Sequence, residues 1–304
     1  MRLKANLLLL LTAVIWGFAY PVLRAGVDYV GPFTLGAVRF AVGSIFLLPF
    51  VFFYNNRFRD KNEAGNEAEK DWKIGLSAGL ILFTAVSLQQ VGLKYTTAGK
   101  AAFITCLYII IVPAAGVLLK KNITASTWFG SLFAVTGLYL LCVKEGFIIS
   151  YGDFLQLIGA FFWAAHILLI DHFARRIEAF KLAFFQFMTC ALLSLGSALV
   201  QETVTIRALL QAGIPILYGG IFSVAIGHTL QIIGQKYTLP AHAATIFSTQ
   251  TVFAAFGGYL LLDESLGLQE ILGCIFMIAG MLLPQIPALA HKSHVKSSSN
   301  SSGD

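Results

Sequence analysis

The stretch LQQVGLKYT, residues 88–96, recurs 142 residues later as LQIIGQKYT, residues 230–238. Leucine, glutamine, glycine, lysine, tyrosine and threonine are retained at matching positions of the two stretches. Nearer the N-terminus the spacing is 147, and it pairs Trp16 with Trp163. A chain that repeats itself over this distance contains two copies of one supersecondary unit.

The composition is that of a membrane protein. Hydrophobic residues make up 57% of the chain and charged residues 12%, with a mean hydropathy of +0.78. Soluble domains carry roughly 25% charge, whereas apolar runs of ~20 residues can cross a bilayer as helices. The sequence predicts an all-α membrane protein with ten transmembrane helices in two five-helix repeats. The predicted spans are 5–23, 31–54, 74–93, 97–119, 124–143, 153–172, 180–200, 209–234, 239–262 and 267–287.

The basic residues predict the orientation of these spans. With the N-terminus inside, 15 basic residues fall in inner segments and 5 in outer segments, while Arg39 lies within a span. This bias obeys the positive-inside rule and predicts that both termini are cytoplasmic in the cell (inner) membrane. Because five spans per repeat is an odd number, the second repeat is inverted relative to the first. The net charge of +6 does not predict nucleic-acid binding, because the basic residues lie in short loops.

The rest of the chain offers little chemistry. The polar interruption at residues 55–73 is predicted to be a solvated loop, and residues 291–304 a disordered polar tail. Four scattered cysteines lack metal-ligand spacing, and no hydrolase, protease or nucleotide-binding motif occurs. No metal or cofactor is therefore expected. Glycine pairs at seven-residue spacing, Gly130 with Gly137 and Gly273 with Gly280, favour close helix packing.

Arg39 is the one cation well inside a predicted span. Burying it in lipid would cost roughly 3 kcal/mol, so we expect it to face the bundle interior. It either anchors an anionic group of a substrate or bonds carbonyls and polar side chains between helices. Its repeat-equivalent residue is the uncharged Gln186.

The acidic residues, by contrast, all lie outside the span centres. This argues against a carboxylate proton relay and against a sodium site built on Asp or Glu. Among ionisable groups in the membrane, His166, His228 and perhaps His242 remain for coupling, although a lone histidine in a helix is usually a packing or hydrogen-bonding residue.

Glutamines and aromatic residues complete the set of candidate cavity residues. Amides in lipid-buried helices either hold helices together or bind polar solutes, and a cavity lining satisfies both interpretations. A tryptophan in the middle of a span indicates close packing or a cavity wall. The candidates are Trp16, Arg39, Gln89, Gln90, Tyr108, Trp163, His166, Gln186, His228, Gln231 and Gln250.

The ordered set of motifs resembles the EamA family of the drug/metabolite transporter superfamily. The pieces are Ala13-Val14-Ile15-Trp16-Gly17, Arg39-Phe40, Gln90–Ala98, Ala102–Thr105, Val112-Pro113, Gly137–Leu141, Gln231–Thr238, Ala243-Ala244 and Val252–Ala255. The resemblance implies EamA-like repeats over 1–147 and 148–290, and a central cavity lined by spans 1–4 and 6–9. It also implies transport of small metabolites, often amino acids. Where many relatives have Glu-Pro, this chain has Gln250-Thr251.

We therefore expect a carrier for a small polar or zwitterionic metabolite that works by alternating access as an exporter or exchanger. Its expected partners are a small-molecule substrate and the lipid bilayer, and a homodimer is left open. A polytopic enzyme acting on lipids and a small-solute channel are the alternatives. The first would need a nucleophile, metal site or acid pair, and the second a charged ring or filter, and the sequence displays neither.

Overall fold

The computed structural model describes residues 2–58, 64–96, 98–120, 123–142, 150–262 and 267–283, and nearly all of them are helical. Apolar side chains on every face of most helices drive burial against other helices or lipid, and a helix satisfies its own backbone groups. The first half contains helices α1 (Arg2–Gly26), α2 (Pro32–Phe58), α3 (Ala64–Gly92), α4 (Ala98–Thr105), α5 (Tyr108–Leu118) and α6 (Ala125–Cys142).

The second half follows the same order with one irregular member. It contains α7 (Tyr151–Phe173), α8 (Ala179–Gln201), α9 (Ile206–Gln211), α10 (Gly213–Leu217), a π-helical segment (Tyr218–His228), α11 (Thr229–Gln235), α12 (Pro240–Ser248), α13 (Gln250–Leu262) and α14 (Leu268–Leu282). The break between α4 and α5 at Leu107 and the break between α12 and α13 at Thr249 lie 142 residues apart. They are therefore equivalent positions of the two repeats.

Seven helical stretches in the described part of the chain are long and apolar enough to cross a membrane. They are Leu3–Gly26, Pro32–Phe53, Asp71–Gly92, Ala101–Leu118, Tyr151–Phe173, Ala179–Gln201 and Gly213–Gln235, and Ile271–Leu282 is a shorter apolar helix. The predicted loop at 55–73 is wrong in extent, because α2 continues to Phe58 and α3 begins at Ala64. Its polar residues extend two helices instead of separating them, as Glu and Lys are good helix formers. The predicted tail, 291–304, lies outside the described residues.

Contacts between the two halves are reciprocal. Helix α6 packs on α14, and a Cβ added to Gly137 would lie 2.5 Å from the carbonyl oxygen of Gly273. In return, a Cβ on Gly280 would lie 2.6 Å from the carbonyl oxygen of Gly130. The glycine pairs thus allow the close backbone approach that their spacing predicts. Reciprocal contacts of this kind relate the halves by a pseudo-two-fold axis.

The same reciprocity links α3 to α8 and the π-helical segment to α2. A Cβ on Gly79 would lie 2.8 Å from the carbonyl oxygen of Gln186, and one on Gly220 would lie 2.9 Å from that of Arg39. Since Gln186 and Arg39 are repeat-equivalent, Gly79 and Gly220 occupy equivalent places. Their spacing is 141, one less than in the motif at residues 88–96.

A second glycine pair locates the additional residue. Gly92 packs on the carbonyl oxygen of Gly152 and Gly234 on that of Ala5, at 3.0 and 3.3 Å from an added Cβ. Between the two glycine contacts lie 13 residue steps in the first half and 14 in the second. The extra residue falls where the helix becomes π-helical, at Tyr218–His228. A π-bulge is how a helix accommodates one inserted residue, and such bulges are frequent at functional sites.

Candidate functional site

A cavity lies where the helices of the two halves meet. It leaves about 60 Å³ for the centres of water-sized molecules, and one water needs roughly 10–15 Å³ on that measure. Its lining comes from α1, α2, α3, α4, α5, α7, the π-helical segment, α11, α12 and α13. The lining residues are Trp16, Ala19, Tyr20, Leu23, Arg39, Phe40, Val86, Gln89, Gln90, Leu93, Thr105, Tyr108, Trp163, Ile167, Ser223, Val224, His228, Gln231, Phe247 and Gln250.

Aromatic rings form one wall of the cavity. The ring centroid of Trp16 lies 4.8 Å from His228, 5.4 Å from Phe247 and 6.4 Å from its repeat-equivalent Trp163. Trp163 stacks on His228, with 6.2 Å between centroids and 7° between planes. Tilted and offset arrangements at these separations are favourable for aromatic pairs. Both tryptophans are therefore fixed by packing and present flat faces to the cavity.

Arg39 brings a cation to this cavity from α2. It is 3% exposed, and its Nε has no hydrogen-bond partner. The guanidinium carbon lies 5.2 Å from the ring centroid of Phe40, a distance within the range of a cation–π contact. Among the described residues that line the cavity, none carries a carboxylate to neutralise Arg39.

Two other lining side chains hold unpaired polar atoms. Gln90 is 1% exposed, and neither its Nε2 nor its Oε1 has a partner. Trp163 is 9% exposed, and its Nε1 also has none. Buried polar groups in folded proteins are nearly always hydrogen-bonded, so unpaired groups that line a cavity are the positions where a polar ligand or water would bind.

Other polar side chains of the lining are engaged. Gln89 Nε2 donates to the Tyr20 hydroxyl at 3.0 Å. Gln250 Nε2 donates to the Tyr108 hydroxyl at 3.1 Å and approaches Cys106 Sγ at 3.3 Å. An amide at 250 therefore links α13 to α5 across the repeat boundary, at the place where a carboxylate was expected from the resemblance.

The π-helical segment is held by side chains of α1. Trp16 Nε1 donates to the carbonyl oxygen of Ser223 at 3.1 Å, and Thr12 Oγ1 donates to that of Gly227 at 3.3 Å. A regular α-helix engages its interior carbonyls in its own hydrogen bonds, whereas a bulge leaves carbonyls free for other donors. The counterpart of Trp16 is Trp163, which packs against the regular helix α3 and has an unpaired Nε1. The inserted residue thus makes the two sides of the cavity chemically different.

Nine of the eleven candidate residues line the cavity, whereas His166 and Gln186 do not. These two are buried and bond to each other, with 2.9 Å between His166 Nε2 and Gln186 Oε1. The polar lining residues that sequence reasoning missed are Tyr20, Thr105 and Ser223. Thr105 lies in a quoted motif, and Tyr20 precedes a helix proline, but nothing in the sequence marks Ser223. Within the described residues, no three His, Cys, Asp or Glu side chains are grouped to hold a metal ion.

A helical bundle with several apolar spans, built from two repeats around a buried polar cavity, defines a multi-pass membrane transporter. The model of the EamA-like transporter family matches residues 3–143 and 150–284, one match in each half. The chain therefore belongs to the EamA-like transporter family, within the drug/metabolite transporter superfamily.

Similar proteins share this architecture over most of their length. A relative from Archaeoglobus fulgidus, described only as an uncharacterized transporter, is 32% identical over 93% of this chain and 86% of its own. Another uncharacterized transporter, from Clostridium kluyveri, is 25% identical over 83% of each chain. A solved crystal structure matches 95% of this chain and 99% of its own with a TM-score of 0.75. Its 18% sequence identity shows a shared fold alone.

Proposed function

We propose that this transporter carries a small polar metabolite with an anionic or zwitterionic group across the cell membrane, as an exporter or exchanger. The supporting observation is the set of unpaired polar atoms in the cavity, on Arg39, Gln90 and Trp163. Leaving a buried donor or acceptor unsatisfied costs about 1–3 kcal/mol. A solute that accepts from Arg39 and Trp163 would remove these costs, which gives the binding energy a physical source.

The substrate class follows from charge. Arg39 favours a carboxylate or another anion, which can accept a charge-assisted hydrogen bond from a guanidinium. A permanent cation would lose its hydration and would meet Arg39, with only aromatic faces and dipoles to compensate it. An amino acid or a related polar compound satisfies this requirement, whereas a quaternary ammonium ion without a carboxylate does not.

Alternating access is the mechanism that the repeat supports. We propose ten spans in two inverted repeats, 1–147 and 148–290, that rock around the cavity. Equivalent helices make equivalent contacts in both halves, so exchanging the conformations of the two repeats produces a second arrangement with the same kinds of contact. In one arrangement the cavity would open to one side of the membrane, and in the other to the opposite side.

Flux measurements in proteoliposomes test this function and its rivals. Radiolabelled amino acids, organic acids and quaternary ammonium ions are compared, with and without unlabelled solute on the opposite side. A carrier that exchanges its solute is accelerated by solute on the opposite side, whereas a channel is not, and a lipid-modifying enzyme would alter the vesicle lipids. A preference for the quaternary ammonium ion that survives Arg39→Gln would contradict the proposed substrate class.

Labelling of single-cysteine variants tests the proposed orientation in the cell membrane. Both termini are expected to be cytoplasmic, and Asp263-Glu264, which lie outside the described residues, are expected to face outward. Cysteines placed there and in the C-terminal tail are challenged with a membrane-impermeant maleimide on whole cells. Labelling of the tail from outside would contradict the inverted repeat.

A further inference from the structure

A chain of hydrogen bonds leads from the cavity to a backbone carbonyl of α7. His228 Nδ1 lies 3.0 Å from Gln231 Oε1, Gln231 Nε2 donates to Gln235 Oε1 at 3.0 Å, and Gln235 Nε2 donates to the Ile167 carbonyl oxygen at 2.9 Å. All three side chains are buried.

The last member of this chain fixes the direction of every bond before it. A backbone carbonyl can only accept, so Gln235 must turn its NH₂ toward Ile167 and its oxygen toward Gln231. Gln231 must then donate to Gln235 with its own NH₂, which leaves its oxygen facing His228. An amide oxygen also only accepts, so the proton of the His228 ring lies on Nδ1.

The other ring nitrogen is consequently the chemically open one. In a neutral ring with the proton on Nδ1, Nε2 holds a lone pair and accepts hydrogen bonds. His228 lines the cavity, and in the described part of the chain Nε2 has no hydrogen-bond partner. Rings of Trp16, Phe187 and Trp163 surround the imidazole at centroid distances of 4.8, 5.7 and 6.2 Å, so its rotation is restricted.

We propose that His228 Nε2 binds an N–H or O–H donor of the transported solute, and that Gln231 and Gln235 position it by fixing the tautomer. This inference rests on the proposed function, because it assumes that the cavity is the substrate site. Arg39 and Trp163 offer donors there, and His228 adds an acceptor. The combination fits a solute that carries both an anionic group and an amine or hydroxyl group.

The acceptor belongs to the second repeat alone. At the spacing of 142, the first-repeat counterpart of His228 is Val86, which also lines the cavity but has no polar atom in its side chain. The counterpart of Gln231 is Gln89, which donates to the Tyr20 hydroxyl. The first repeat therefore has no equivalent relay, and the bound solute would have one preferred orientation.

The tautomer is tested directly, without any substrate. Nitrogen-15 spectra of histidine-labelled protein in lipid nanodiscs distinguish Nδ1–H from Nε2–H rings, and the difference between wild type and His228→Gln assigns the His228 signals. We expect Nδ1–H in the wild type, and a mixture of tautomers in Gln235→Leu. A proton on Nε2 in the wild type would overturn the inference, whether or not Gln235→Leu folds.

Binding of paired probes tests the role in recognition. The probes are the amino acids that the wild type transports and their N,N,N-trimethyl derivatives, which keep the carboxylate but lose every N–H donor. We expect His228→Phe to weaken binding of the free amino acid about tenfold and to leave the trimethyl derivative unchanged, since one hydrogen bond is lost. His228→Gln should retain the preference, because the amide oxygen also accepts.

The control is His166→Phe, because His166 is buried next to His228 but does not line the cavity. It should leave the ratio of the two affinities unchanged. If His228→Phe weakens both probes equally, His228 is a packing residue and the inference fails while the transport function stands. If the wild type transports no solute of any class, the proposed function itself fails.

Discussion

Tyr108 and Gln250 are equivalent residues of the two repeats, and they hydrogen-bond to each other. Gln250 Nε2 donates to the Tyr108 hydroxyl at 3.1 Å, across a sequence separation of 142. Each residue begins the helix that follows the break in its half of the chain. Phe40 and Phe187, another equivalent pair, also touch, with ring centroids 6.0 Å apart. Residues that meet their own counterparts lie next to the pseudo-two-fold axis.

The Tyr108–Gln250 bond should contribute modestly to stability. Hydrogen bonds between transmembrane helices are worth about 0.6 kcal/mol on average and up to about 1.7 kcal/mol. We expect a double-mutant cycle of Tyr108→Phe and Gln250→Leu to give a coupling energy in this range. Unfolding free energies in mixed detergent micelles provide the measurement, and a coupling energy of zero would mean that the bond does not contribute.

Replacing Arg39 should weaken binding of anionic and zwitterionic solutes. Arg39→Gln installs the residue found at the equivalent position 186 and removes the only charge on the described cavity lining. A hydrogen bond to a charged group is worth about 1.5–3 kcal/mol, so the affinity should fall roughly 10–150-fold. Arg39→Lys should fall between, since lysine keeps the charge but loses the planar donor fork. Binding is measured by isothermal titration or scintillation proximity.

The matched control is Arg24→Gln. Arg24 forms an exposed ion pair with Asp28, at 2.8 Å between Nη1 and Oδ1, and exposed pairs contribute little. Its substitution should leave solute affinity unchanged. Unaltered transport, affinity and expression in Arg39→Gln would show that Arg39 is neither an anchor nor a structural support.

The packing of α6 on α14 should tolerate no added methyl group. Gly137→Ala would place a Cβ 2.5 Å from the Gly273 carbonyl oxygen and 2.7 Å from Met277. Overpacking of this kind typically costs about 1–3 kcal/mol. We expect a lower melting temperature in detergent with little change in solute affinity, because neither helix lines the cavity. Gly196→Ala is the control, since no atom lies within 4 Å of its added Cβ, and it should be neutral or slightly stabilising.

The sequence contains enough to predict the helical membrane class, the repeat and most cavity residues. It does so because a duplicated chain marks the same functional place twice, as with Trp16 and Trp163. Sequence reasoning could not separate Gln186 from the lining. A helix that is apolar all round has no periodic signal that distinguishes a cavity face from a packing face. The π-helical insertion was equally hidden, because one extra apolar residue changes neither hydropathy nor span length.

The insertion should make the two halves respond differently to shortening. Phe222 lies in the π-helical segment and Leu80 in the equivalent part of α3, and both are exposed on the bundle surface. Deleting Phe222 reduces the second interval to 13 residues, the length that the first half spans with a regular α-helix. The anchoring contacts of Gly220 and Gly234 can therefore persist. We expect this variant to accumulate in the membrane with a melting temperature within a few degrees of wild type.

Deleting Leu80 should be far more damaging. It removes a residue from a regular helix, so one end rotates by about 100° relative to the other. Either Gly79 or the Gln89–Gln90 pair then leaves its place, and we expect loss of folded protein in size-exclusion chromatography. The Phe222 deletion should instead fold but transport poorly, because closing the bulge re-engages the carbonyl that Trp16 binds. Equal accumulation of the two variants would contradict the assignment of the extra residue to the second repeat.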